Sequence, residues 1–277
     1  MHEEYWGLRE SPFRAWLDPR YYFDSATHDE GLSRLSFLIE HRRRLGLLLG
    51  GRGSGKSLLL AVLAHDLRRR AFNVANVNLL GLDTREALWS ILSDLGANPP
   101  ENGPLFSLWR TLADLLAEQR HLRTPTVLLL DDADQATPEL LLDLVRLLVL
   151  DQSPDSRLTV VLAASRTRAS RLGSQLLDLS ELRIELERWE EADTLAFLTE
   201  SLAKAGRTTE TFEPRAAARL HELSRGVPRQ VRQLAELALL AGAGQQLERI
   251  DEATIDSVYQ ELAVSPSAVQ ELAFSAE

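Results

Sequence analysis

Apolar and polar positions divide the chain into two regimes. Up to about residue 189, short apolar runs alternate with longer amphipathic stretches; beyond it only helical periodicity remains. Leu45 to Leu49, Phe72 to Leu79, Thr126 to Leu130, Leu158 to Ala163 and Leu182 to Leu186 read as strands, bounded by turn residues. The run Thr126-Val-Leu-Leu-Leu130 is almost wholly apolar, as a strand covered on both faces requires. Helical spacing predicts helices over about 28–43, 58–67, 84–95, 105–120, 138–150 and 168–179. Strand and helix in alternation predict a parallel sheet with helices on both sides. From Glu190 onward, helices are expected over about 190–204, 214–224, 228–241 and 251–263, which is the pattern of a small bundle.

The first 30 residues fit neither regime. Tyr5, Trp6, Phe13, Trp16, Tyr21, Tyr22 and Phe23 are interleaved with Pro12 and Pro19. Disordered segments lack aromatic residues, so the expectation is an irregular arm over 1–30 packed on the core. The α/β domain is then expected over 31–189, the helical domain over 190–264 and a tail over 265–277.

The bulk numbers remove several classes of function. The chain has 277 residues, 44% hydrophobic and 26% charged, ordinary values for a globular protein. It has no cysteine, so neither a disulfide framework nor a thiolate zinc site is available. No apolar run approaches the roughly 20 residues of a membrane span, and the acidic start is not of signal-peptide type; the cytoplasm is the expected location. A net charge of −10 disfavours broad electrostatic binding to nucleic acid. Two basic clusters, His41 to Arg44 and Arg68 to Arg70, fall where helices should end, a position the helix dipole favours for cations.

The chemistry is concentrated in one segment. Gly50-Gly51-Arg52-Gly53-Ser54-Gly55-Lys56-Ser57 fits G-x-x-x-x-G-K-[ST] at every fixed position, with a strand before it and a helix opening at Leu58. Glycines let backbone N–H groups converge on phosphate oxygens, and the following helix adds its positive end. Lys56 is the expected contact to the β- and γ-phosphates, and Ser57 an expected Mg²⁺ ligand. A nucleotide site of this kind also needs a carboxylate at the end of a second buried strand. Val127-Leu-Leu-Leu-Asp131-Asp132 supplies it, with Asp131 assigned to the metal and Asp132 to the attacking water. Ser165, closing another strand, is a candidate contact to the γ-phosphate or the water. Arg229 lies in Ser224-Arg-Gly-Val-Pro-Arg229, at the start of a helix whose first turn suits Pro228.

These pieces, with Tyr5-Trp-Gly-Leu-Arg-Glu-Ser-Pro12-Phe13, His28-x-Glu30, Asp131-Asp-Ala133-Asp-Gln135 and Gly226-x-Pro-Arg229, resemble AAA+ ATPases of the general secretion pathway protein A type. The resemblance implies a RecA-like αβα sheet of the P-loop NTPase type followed by an all-α lid. It implies Mg²⁺ and ATP binding, hydrolysis coupled to conformational change on a protein partner, and homo-oligomerisation. It also places Arg229 as a second sensor and His28 near the adenine. Aspartate stands at 132 where that family usually has glutamate, and Leu179 stands where a finger arginine is expected, leaving Arg183. A nucleotide-gated switch with little hydrolysis therefore stays open as an alternative, as does a DNA-associated regulator resembling transposition ATP-binding subunits. The resemblance covers the motor-type domain, not the membrane span or peptidoglycan-binding part that commonly follow it.

Overall fold

The computed structural model describes residues 2–14, 17–100, 103–150 and 153–262. The described residues form two compact units: one within 17–187, the other made of residues 2–14 together with 188–262.

The first unit is built on a parallel sheet of five strands. These are β1 (Leu45–Gly50), β2 (Asn73–Asn78), β3 (Thr126–Asp131), β4 (Leu158–Ser165) and β5 (Leu182–Leu186). Their spatial order is β2-β3-β4-β1-β5, every neighbouring pair parallel. Side chains alternate between the faces, as strand geometry dictates. Leu47 and Leu49 enter one core with Val77, Leu128, Leu130, Val160 and Leu162. Leu48 enters the opposite core with Val74, Leu129, Val161 and Ile184.

Helices cover both faces. On the Leu48 side lie α2 (Ala26–Glu40) and α3 (Lys56–Arg69), contributing Leu35, Leu38, Leu59, Leu60 and Leu63. On the Leu47 side lie α4 (Thr84–Asp94), α5 (Leu105–His121), α6 (Pro138–Leu150) and α7 (Gly173–Leu179), contributing Ile91, Leu112, Leu144 and Leu176 among others. α4 opens with a reciprocal capping box between Asp83 and Glu86. The helix expected over 168–179 is divided: a 3-10 turn over Arg166–Leu172 precedes α7, and Gly173 at the junction has φ 80°. A left-handed residue cannot continue a regular helix, so the amphipathic pattern there is cut in two.

The second unit is helical. It holds α1 (His2–Trp6), α8 (Glu191–Lys204), α9 (Pro214–Ser224), α10 (Pro228–Gly244) and a final helical run over 252–262. Here the structure differs from the expected arm over 1–30. Residues 2–14 group with the helical unit, and residues 17–30 with the sheet. Side-chain chemistry accounts for the first grouping. Trp6 is buried, its indole Nε1 donates to the Leu239 carbonyl at 2.8 Å, and Arg207 stacks 4.9 Å from its ring centroid. Phe13 packs against Phe197 and Phe212. The tail expected over 265–277 lies outside the described residues.

Candidate functional site

The carboxyl ends of four strands meet at one edge of the sheet. In register, Gly50 of β1 sits beside Ser165 of β4, and Asn78 of β2 beside Asp131 of β3. The order places β1 between β4 and β5, while the connection from β1 leads by way of α3 to β2 at the far edge. Open α/β sheets bind ligands outside such a reversal of strand order.

The segment from Gly50 to Ser57 turns from β1 into α3 at this place. Gly53 and Gly55 have φ of 82° and 95°, conformations that disfavour side chains. Close packing adds a second demand. A Cβ on Gly50 would lie 2.4 Å from Ser54 Oγ, and one on Gly55 would lie 2.5 Å from His28 Nε2. Gly51 and Arg52 are exposed at the mouth of the loop. Lys56 reaches back over it: Nζ donates to the carbonyls of Gly50 and Gly51, each at 3.1 Å. Leu58 is half-buried in the first turn of α3.

Ser57 and Asp131 are brought into direct contact, the Ser57 hydroxyl donating to Asp131 Oδ2. Asp131 is buried, and its Oδ1 accepts the Asp132 amide at 2.9 Å. Burial pushes its carboxyl above the usual carboxylate range, against the lowering effects of the Ser57 hydroxyl and the Asp132 amide. A hydroxyl and a carboxylate side by side are the hard oxygen donors that Mg²⁺ prefers. The bare-backbone loop, the lysine drawn across it and this oxygen pair fit a magnesium nucleotide.

Asp132 follows in the left-handed region, φ 51° and ψ 35°, where aspartate is among the better tolerated non-glycine residues. Its Oδ2 accepts from Asn78 Nδ2 at 2.9 Å. Asn78 did not emerge from the sequence as a site residue; the available signal was an asparagine at the exposed carboxyl end of a strand. Ser165 is held in two ways. Its amide donates to Asp134 Oδ1 at 2.9 Å, and its hydroxyl shares a 3.0 Å hydrogen bond with that of Thr167. Asp134 is itself buried and paired with Arg168 Nε at 2.8 Å, so a carboxylate just past β3 fixes the end of β4.

Arg183, Arg229 and His28 each have a different setting. Arg183 is paired in register with Leu47, three residues before Gly50 and about 10 Å back along the strand. Its guanidinium donates to Ser180 Oγ and the Leu177 carbonyl, and it is not gathered into this site. Arg229 belongs to the helical unit, exposed on the first turn of α10. The Gly-x-Pro-Arg turn that carries it has a packing origin: a Cβ on Gly226 would lie 2.1 Å from the Trp189 carbonyl oxygen. His28 is buried beneath the phosphate-type loop, with Nδ1 2.7 Å from Ser25 Oγ and Nε2 2.9 Å from the Ser54 carbonyl. Of the basic clusters, Arg68 pairs with Asp94, Arg70 with Glu40 and Arg43 with Glu181.

Sheet order, loop and paired carboxylates define a P-loop NTPase fold of the AAA+ type. Comparison with known proteins bears this out. Residues 39–172 match the family model described as AAA domain. Over 245 residues the chain is 27% identical to General secretion pathway protein A of Aeromonas hydrophila, a match covering 87% of this chain and 45% of that protein. The chain thus spans less than half the length of that relative. Among solved structures, the Aeropyrum pernix ORC1 protein in complex with DNA aligns with a TM-score of 0.69 at 18% identity, covering 89% of this chain and 68% of that one. The Aeropyrum pernix ORC2 protein in its ADPNP–ADP complexes gives 0.66 at 17%, covering 88% and 71%. The Thermotoga maritima RuvB Holliday junction branch migration motor gives 0.61 at 17%, covering 91% and 73%. The fold is common to these three solved structures. No helix among the described residues is long and apolar enough to cross a membrane.

Proposed function

We propose that the chain binds Mg²⁺ and ATP at the Gly50–Ser57 loop, hydrolyses ATP slowly, and passes the change in nucleotide state to its helical unit, which acts on a protein partner. The observation that carries this reading is the direct contact of the Ser57 hydroxyl with Asp131. It joins the end of the loop to the acid of a second strand, at the point where a metal-bound triphosphate would need both.

Each residue has one task in this reading. Backbone amides of residues 51–57 and the α3 N-terminus receive the phosphates. Lys56 exchanges the Gly50 and Gly51 carbonyls for β- and γ-phosphate oxygens. Ser57 and Asp131 hold Mg²⁺, which neutralises charge on the phosphates when bound. Asp132 orients the attacking water and Ser165 contacts the γ-phosphate end. Arg229, on the helical unit acting as a lid, reports the γ-phosphate. Arg183 would serve only across a subunit interface in a homo-oligomer. Residues 188–262 with 2–14 constitute the lid, and 17–187 the nucleotide domain.

A second reading, a nucleotide-gated switch with little turnover, is favoured by the hydrogen bond that ties Asp132 to Asn78. The test of both is steady-state phosphate release from the purified chain with Mg²⁺ and ATP, using Lys56→Ala as the blank. Turnover above the blank supports the ATPase. ATP binding without turnover supports the switch, and no binding at all rejects both.

A further inference from the structure

We propose that His28 is a positioning residue that aims the Gly55 amide of the phosphate loop; this rests on reading the loop as a nucleotide site. The His28 ring is buried, and each ring nitrogen has a partner within hydrogen-bond distance. Nε2 faces the Ser54 carbonyl oxygen at 2.9 Å, and a carbonyl only accepts, so Nε2 carries the proton. In the neutral ring Nδ1 is then the acceptor, and the Ser25 hydroxyl donates to it at 2.7 Å.

The consequence runs through the peptide plane. The Ser54–Gly55 peptide is trans, so its N–H points opposite to its C=O. Holding the carbonyl on His28 turns the Gly55 N–H away from the ring, towards the hollow of the loop. Two further features show that loop and ring are fitted to each other. The ring fills the place a Gly55 side chain would need, with 2.5 Å from Nε2 to the Cβ position. Ser25 is the N-cap residue of α2, yet its hydroxyl makes no capping bond. N-cap serines ordinarily bond the first turn of their helix, and here that hydroxyl is directed to His28.

This differs from a contact with the adenine. Both ring nitrogens are engaged by the protein, so the effect of His28 falls on phosphate and not on the base. The test measures ATP, ADP and GTP affinity by calorimetry for the full chain and for His28→Leu, His28→Gln and Ser25→Ala, with thermal melts to confirm folding. His28→Leu should weaken ATP and ADP by roughly tenfold to a hundredfold, the effect of losing one well-aimed donor to a charged group, with the ATP-to-GTP ratio unchanged. His28→Gln, whose Nε2 reaches the same carbonyl, should recover most of the loss. Ser25→Ala should give an intermediate loss and carries the test if His28→Leu does not fold. Native affinity in a folded His28→Leu or in Ser25→Ala overturns the proposal. So does a changed ATP-to-GTP ratio, or a glutamine variant no better than leucine. A native chain that binds none of the three nucleotides rejects the nucleotide site itself, a result distinct from any failure of His28.

Discussion

Asn78 Nδ2 donates to Asp132 Oδ2 at 2.9 Å, from the end of the edge strand β2 to the residue just past β3. The bond withdraws negative charge from the carboxylate proposed to orient water and turns it towards the sheet edge. Asn78→Ala should therefore release Asp132 and raise basal phosphate release about tenfold, the equivalent of one hydrogen bond to a charged group. Asp132→Asn should abolish release while leaving ATP affinity intact. A fall in turnover for Asn78→Ala would mean that the asparagine positions Asp132 instead of restraining it.

Asp132→Glu tests chain length at the same place. Glutamate carries the carboxylate about one methylene further, beyond the reach set by Asn78, and a displacement of ~1 Å can change rate on the order of a hundredfold. The left-handed backbone at residue 132 opposes the change, because glutamate tolerates that region less well than aspartate. The expected outcome is faster phosphate release together with a lower melting temperature, read on one protein preparation by the release assay and a thermal melt.

The sheet and the loop were legible because their signals are local. Buried strands such as Thr126–Asp131 are nearly continuous apolar runs, and Gly50 to Ser57 carries its geometry in consecutive residues. What escaped depends on contacts distant in sequence. Asn78 meets Asp132, and His28 meets Ser54, only once the sheet has assembled. The partition of the first 30 residues escaped for the same reason: nothing local says that Trp6 will find the Leu239 carbonyl. The register of Arg183 with Leu47, three residues before the loop begins at Gly50, likewise depends on sheet assembly.

Burial of Asp131 sets up an exchange between stability and metal binding. Its folded-state carboxyl titrates above its ordinary value, so the folded chain holds this proton more tightly than the unfolded chain does. The associated stability is present at pH below the ordinary carboxylate value and is lost as pH rises through the elevated one. Asp131→Asn should accordingly raise the melting temperature of the nucleotide-free protein at neutral pH, the amide oxygen accepting from the Asp132 N–H while the Ser57 hydroxyl turns to accept from the new NH2. Under the proposed function, the same variant should lose the added stabilisation expected from Mg²⁺ with ATP on the native chain. Paired thermal melts with and without Mg²⁺ and ATP decide it; an unchanged ligand-dependent increment in Asp131→Asn would remove Asp131 from the metal site.

Trp6 makes the N-terminal segment part of the helical unit, and its two contributions are separable. Its indole N–H satisfies the Leu239 carbonyl, while its ring lies against Gly242, where a Cβ would come within 2.9 Å of it, and under the Arg207 guanidinium. Trp6→Phe keeps most of the ring and loses the donor, leaving a buried carbonyl short of one partner, a cost of about 1–3 kcal/mol. Trp6→Ala also opens a cavity, for a loss of about 3–5 kcal/mol. Because the segment belongs to this unit and not to residues 17–187, the loss should fall on one of two unfolding transitions. Hydrogen exchange followed by mass spectrometry resolves the two: protection should drop in α8, α9 and α10 and remain native in β1, β3 and β4. Equal loss of protection across the sheet would show instead that residues 2–14 stabilise the nucleotide domain.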